Sequence, residues 1–269
     1  MRLRVSRSTP VALALGGGAA KGIAHIGVLK ALAEKGVRVG AVAGTSVGSL
    51  VGAAFCAGLG WEEILRAARG ITWGDLVTLE LPRRGLMRLD GLQRFLEKLL
   101  GNRTIEGLAI PFAAVATDLQ TGSEVILTSG PLALAVKASC SVPGVFEPTV
   151  IDGQYLVDGG LVSDIPAKVA RQLCPGTVIG VSLSAGAARE GVPRTLVDVI
   201  SRSFEIFVRA NSERSLEEAD IAVAPRLEGF HYRDLARIDE LVAAGEEATN
   251  LALAEPLQRG FRWPWSRRG

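Results

Sequence analysis

Ser46 lies in Gly44-Thr45-Ser46-Val47-Gly48, a GxSxG sequence. A serine with this glycine spacing suits nucleophilic attack where a strand turns sharply into a helix. The turn projects the hydroxyl, the glycines prevent collision, and the helix N-terminus favours the negative charge that attack creates. The same residues also suit a plain strand-to-helix turn with a capping serine. A second segment, Gly16-Gly17-Gly18-Ala19-Ala20-Lys21-Gly22, offers consecutive backbone N–H groups at a helix start, the donors that a tetrahedral acyl intermediate requires. Two other chemistries fit it less well. A dinucleotide fingerprint would place its last glycine where Lys21 stands and would want an acidic residue in 37–45, which has none. A phosphate-binding loop wants Gly-Lys-Ser/Thr, whereas Lys21 is followed by Gly22-Ile23. Asp158-Gly159-Gly160 puts a carboxylate on a tight turn, although Asp-Gly is also the commonest of turn signals. Asp118, Asp152 and Asp164 have similar local claims. The Pro- and Gly-rich stretch 139–148 is rigid enough to wall a site.

These residues need elements to carry them. The apolar run 11–15, stopped by three glycines, reads as a buried strand. Ile23, Ile26, Val28, Leu29 and Leu32 recur at helical spacing over 23–35, which Gly36 ends. A second buried strand over 37–43 leads through Gly44–Ser46 into a small-residue helix over 47–57. Strand, helix, strand, helix predicts a parallel sheet in an α/β fold. Residues 60–108 read as an insertion over the sheet, part helix and part loop. Strands follow at 111–117 and 124–127, a helix at 131–139, and a short hairpin around Asp152-Gly153. Beyond it come a helix at 165–173, a strand at 178–183, a long helix at 194–219, a strand at 221–224 and a last helix at 232–253.

Composition excludes several classes. The 269 residues are 48% hydrophobic and include 32 glycines, which suits one α/β domain with many tight turns. A net charge of +2 gives no footprint for nucleic acid. Cys56, Cys140 and Cys174 lack paired spacing and read as reduced, buried thiols, Cys56 and Cys140 as core residues. Two histidines and no HExxH argue against a metal, and no cofactor is expected. The basic start and short apolar run resemble a signal peptide, but Pro10 and the run's length favour a strand. No run approaches the roughly 18 to 20 apolar residues of a membrane span. A cytoplasmic protein is the expectation, with peripheral membrane contact open and no oligomeric state specified.

Taken in order, the blocks resemble the patatin-like phospholipase family, in particular its bacterial branch related to neuropathy target esterase. Those carrying the resemblance are 17–22, 44–48 and Asp158-Gly159-Gly160. Ala24-His25-Ile26-Gly27-Val28-Leu29, Ala116-Thr117-Asp118-Leu119, 138–148 and 160–166 add to it. It covers roughly 11–250 and implies a three-layer α/β/α fold with a central, mostly parallel sheet. The expected layout is an N-terminal segment 1–10, a phospholipase domain 11–255 with a lid-like insertion at 60–108, and a basic aromatic tail 256–269. The resemblance implies hydrolysis of a lipid ester by a Ser46–Asp158 dyad without histidine. Gly17, Gly18 and Ala19 would supply the oxyanion hole, and Lys21, Gly22, Gly44, Gly48, Gly159 and Gly160 complete the motifs. Ala19 stands where the family usually has a third glycine, and alanine disfavours positive φ. Lys21 replaces the commoner arginine and lacks its planar fork.

Two alternatives remain at this point. An α/β-hydrolase triad would recruit His231, which follows Asp158 in the chain. A non-catalytic regulator would keep the fold alone. For membrane contact, one candidate is Trp73, Leu76, Leu79, Leu81 and Leu86 beside Arg83, Arg84 and Arg88. The other is Trp263 and Trp265 among Arg262, Arg267 and Arg268.

Overall fold

The computed structural model describes residues 9–78, 84–184, 192–231 and 233–254. The strands among them are β1 (Val11–Leu15), β2 (Val39–Thr45), β3 (Phe112–Asp118), β4 (Glu124–Leu127), β5 (Thr149–Ile151), β6 (Gln154–Asp158), β7 (Val178–Val181) and β8 (Ile221–Val223). They form one sheet in the order β5-β6-β3-β2-β1-β7-β8, with β4 also paired to β3. The centre is parallel, from β3 through β2, β1 and β7 to β8. The β4, β5 and β6 pairings are antiparallel.

The helices are α1 (Ala24–Glu34), α2 (Val47–Cys56), α3 (Trp61–Arg69), α4 (Trp73–Leu76), α5 (Asp90–Leu100), α6 (Leu132–Ser139), α7 (Ala167–Leu173), α8 (Leu196–Leu216) and α9 (Ile238–Ala254). The strand sequence itself separates the layers. In β1, Val11, Leu13 and Leu15 point to one face and pack with α1, α2, α5 and α9. Ala12 and Ala14 point to the other, where Ala167, Val169 and Ala170 of α7 pack on them. The period of two thus gives α7 a flat alanine surface and the larger helical layer a deep one. This is the expected three-layer α/β/α arrangement.

The structure moves some expected boundaries. β2 begins later and runs on to Thr45, because its pairing with β1 continues from Val11↔Val39 to Leu15↔Gly44. The turn into α2 is therefore the single residue Ser46. The second half of the Gly-rich segment is not open loop: Ala19–Ile23 form a 3-10 turn that leads into α1. The segment 60–108 contains α3, α4 and α5 and is tied to the 139–148 loop near its middle. Leu86 and Met87 donate backbone N–H bonds to Val145 O at 3.1 and 3.0 Å, and Glu147 N–H returns one to Met87 O at 3.0 Å. Leu79, Leu81 and Arg83 lie outside the described residues, as does the tail with Trp263, Trp265, Arg262, Arg267 and Arg268. No helix among the described residues is long and apolar enough to cross a membrane.

Candidate active site

Two strands meet end to end on one edge of β3. β4 pairs with Ala114 through Thr117. β2 also pairs with Ala114 and Val115, and β6 also pairs with Ala116 and Thr117. A strand has only two edges, so β2 and β6 share the edge opposite β4. They run towards each other, and their last residues, Thr45 and Asp158, face the consecutive residues Val115 and Ala116. This juxtaposition brings the serine after β2 to the carboxylate at the end of β6.

Ser46 has φ 53° and ψ −128°, an arrangement that a non-glycine residue holds only under constraint. Its N–H donates to Ser139 Oγ at 2.9 Å, and the Ser139 hydroxyl donates to Val115 O at 2.6 Å. Gly48 permits the turn, since a Cβ there would lie 2.1 Å from Leu15 O. Gly44, the other motif glycine, is a paired β2 residue facing Leu15 and Ala114.

Asp158 is buried at 1% exposure. Its Oδ1 accepts the Gly160 N–H at 2.9 Å, which opens a 3-10 turn over Gly159–Leu161. Oδ2 is buried and has no fully formed hydrogen bond among the described residues. Burial pushes the Asp158 carboxyl up to about 7. The Gly160 amide and the nearby Ser46 hydroxyl pull the other way, and the charge of Asp164 adds to the rise. Cys140, expected in the core, packs against it but also reaches this site. Its thiol is raised first by burial and then by the Asp158 charge, and hydrogen bonds with Ser49 and Ser46 oppose that.

The Gly-rich segment lies beside the serine, and a Cβ on Gly17 would come within 3.3 Å of Ser46 Cβ. Gly17 is bonded differently from the two residues after it: its N–H donates to Asp164 Oδ1 at 2.9 Å. The amides of Gly18 and Ala19 have no hydrogen-bond partner among the described residues. Ala19 holds φ 49°, the positive value that alanine disfavours. Lys21 is buried, and its Nζ meets Glu205 of α8 at 2.9 Å, while Gly22 continues the 3-10 turn.

A cavity of about 860 Å³ opens on Ser46 and Asp158. Trp73 and Met87 of the insertion, Phe146 of the 139–148 loop, and Phe204 and Val208 of α8 contribute to its walls. The other candidates sit elsewhere. His231 is not among the cavity-lining residues, and its Nδ1 accepts the Arg233 N–H at 3.2 Å. Asp118 closes a turn by accepting from Gln120 N at 2.9 Å and Thr121 Oγ1 at 3.1 Å. Asp152 occupies the β5–β6 hairpin turn.

Fold and site together define a class: three-layer α/β/α proteins carrying a serine on a strained strand-to-helix turn beneath an apolar cavity. The chain belongs to the patatin-like phospholipase family, whose model, described as "Patatin-like phospholipase", matches residues 13–171. An uncharacterized NTE family protein of Mycobacterium tuberculosis is 37% identical over 208 residues, 75% of this chain and 58% of that one. Patatin-like phospholipase domain-containing protein 7 of Rattus norvegicus is 32% identical over 192 residues, 68% of this chain and 14% of that one. The chain thus spans little more than half the length of the first relative and a small part of the second. Among solved structures, VipD from Legionella pneumophila shares the fold with a TM-score of 0.63 at 15% identity, over 92% of this chain and 67% of that one.

Proposed function

We propose that the chain is a serine-dependent lipid acyl hydrolase in which Ser46 is the nucleophile and Asp158 its base. The observation that carries this reading is the buried Asp158 carboxylate, one oxygen unpaired, beside a serine held at positive φ on the floor of an apolar cavity. In this mechanism Asp158 accepts the hydroxyl proton as Ser46 attacks the ester carbonyl. The Gly18 and Ala19 amides receive the oxyanion. Asp158 then protonates the leaving alcohol; afterwards it takes a proton from the water that attacks the acyl group and returns it to Ser46 Oγ as the fatty acid leaves. A carboxylate is a weak base for a hydroxyl, so much of the barrier reduction falls to the amides. Removal of one such donor costs roughly 3–4 kcal/mol.

The test compares fatty acid release by wild type, Ser46→Ala, Asp158→Asn and His231→Ala. Loss in the first two variants with retention in the third is the expected result. Loss in a folded His231→Ala variant would replace the dyad with a triad.

We further infer that the protein meets lipid through the outer face of α8. Leu196, Val199, Ile206 and Phe207 are 64%, 49%, 52% and 47% exposed. They form one stripe at helical spacing, while Val197, Phe204 and Val208 on the opposite face line the cavity. The exposed Arg194, Arg209 and Arg214 lie on or beside the helix, interspersed with the exposed Glu213 and Glu217, so the apolar stripe and not net charge carries the reading.

A further inference from the structure

The peptide unit that joins Gly16 to Gly17 is held at both ends by buried side chains. His25 Nε2 lies 2.8 Å from Gly16 O, and Gly17 N–H donates to Asp164 Oδ1 at 2.9 Å. A carbonyl only accepts, so Nε2 carries the ring proton. Burial lowers His25 to about 4, which leaves a neutral ring with that one N–H, and the buried Nδ1 has no partner among the described residues. The C=O and N–H of one trans peptide point in opposite directions. Bonds at both ends therefore fix the position of the plane and also which way it faces.

The two side chains come from different parts of the fold. His25 is on α1, in the layer packed on the leucine face of β1. Asp164 stands just before α7 on the opposite face, and the Ser212 hydroxyl of α8 bonds its second oxygen. Both residues are fully buried. A buried carboxylate and a half-satisfied buried imidazole are expensive as packing. The next residues also need restraint, since Ala19 is strained at φ 49°.

We propose that His25 and Asp164 are positioning residues that lock the Gly16–Gly17 peptide, and so aim the Gly18 and Ala19 amides at the oxyanion formed on Ser46. The proposal rests on the hydrolase reading above. A turned peptide would set Gly16 O against the Asp164 carboxylate and would carry the following amides out of line. The lock acts on the intermediate and not on substrate docking, so its loss falls on kcat.

The experiment measures p-nitrophenyl butyrate turnover by His25→Leu, Asp164→Ala, their double variant, His25→Gln and Asp164→Asn, with folding followed by thermal melting. Gln and Asn keep a donor for Gly16 O and an acceptor for Gly17 N–H. His25→Leu and Asp164→Ala are expected to lose about 10- to 100-fold in kcat with KM within about twofold. The Gln and Asn variants should stay within about threefold. The double variant should be no worse than the weaker single, because both act on one peptide. Folded Leu and Ala variants with wild-type kcat, or a change confined to KM, would overturn the proposal.

Hydrogen exchange at the wild-type Gly17 amide tests the lock without any variant. Strong protection is expected, and exchange at the rate of an open loop would overturn the proposal. Turnover by Ser46→Ala equal to wild type would instead remove the hydrolase reading, while Gly17 exchange would still report on the lock.

Discussion

Thr45 and Asp158 end two different strands on the same edge of β3, opposite the neighbouring residues Val115 and Ala116. The Ser46 turn and the Asp158 carboxylate, far apart in the chain, are thus both placed by one stretch of β3 backbone. Ser139 reinforces this from α6, linking the Ser46 N–H to Val115 O. The Ser46 turn is thus held by bonds internal to the chain, an arrangement that suits electrostatic stabilisation of an intermediate.

The first prediction concerns pH. Asp158 must be ionised to accept a proton, and burial raises it to about 7. Activity should therefore rise through about pH 7 and level off above it, in a kcat profile measured on a soluble ester. Asp164, raised by its own burial to about 6, and the Cys140 thiol are the titratable neighbours.

The same shift has a consequence for stability. The folded protein binds the Asp158 proton more tightly than the unfolded chain does, so stability falls as pH rises from about 4 to about 7. Asp158→Asn removes that penalty. It should abolish turnover yet melt higher than wild type at pH 8, by an amount corresponding to roughly 2–4 kcal/mol. The difference should shrink towards pH 4. A lower melting point at pH 8 would contradict a buried carboxylate with one oxygen unpaired.

Ala19 gives a second stability prediction. Glycine accepts φ 49° without the clash alanine suffers, but loses more chain entropy on folding. Ala19→Gly should gain about 0.5–1 kcal/mol in denaturant unfolding and keep kcat within about twofold, because the backbone N–H is unchanged.

Much of this was legible in the sequence, and what was missed shares a cause. β1 and the Ser46 turn follow from short apolar runs cut by glycine, which are local signals. Asp158 owed its selection to the ordered family motifs, since Asp-Gly is ambiguous alone. Asp164 looked like one more turn residue because its partners, Gly17 and Ser212, are distant in the chain. The bond at the Gly17 amide was hidden for the same reason. In α8 the apolar residues occupy two faces, and periodicity does not say which one covers the cavity.

The outer face of α8 yields a prediction about membranes. Ile206→Ser with Phe207→Ser should reduce co-flotation with phosphatidylglycerol-containing vesicles severalfold. Hydrolysis of a soluble ester should stay near wild type, as neither residue lines the cavity. A larger solution mass for wild type that the double variant abolishes would show instead that the stripe joins two copies of the chain.

The central claim is that Ser46 is the acylated residue. The direct measurement is fluorophosphonate labelling of the folded protein, with the adduct located by peptide mass spectrometry. One adduct on Ser46 is expected, absent in Ser46→Ala and strongly slowed in Asp158→Asn. Failure of the wild type to label, or equal labelling of Ser46→Ala, would contradict the account.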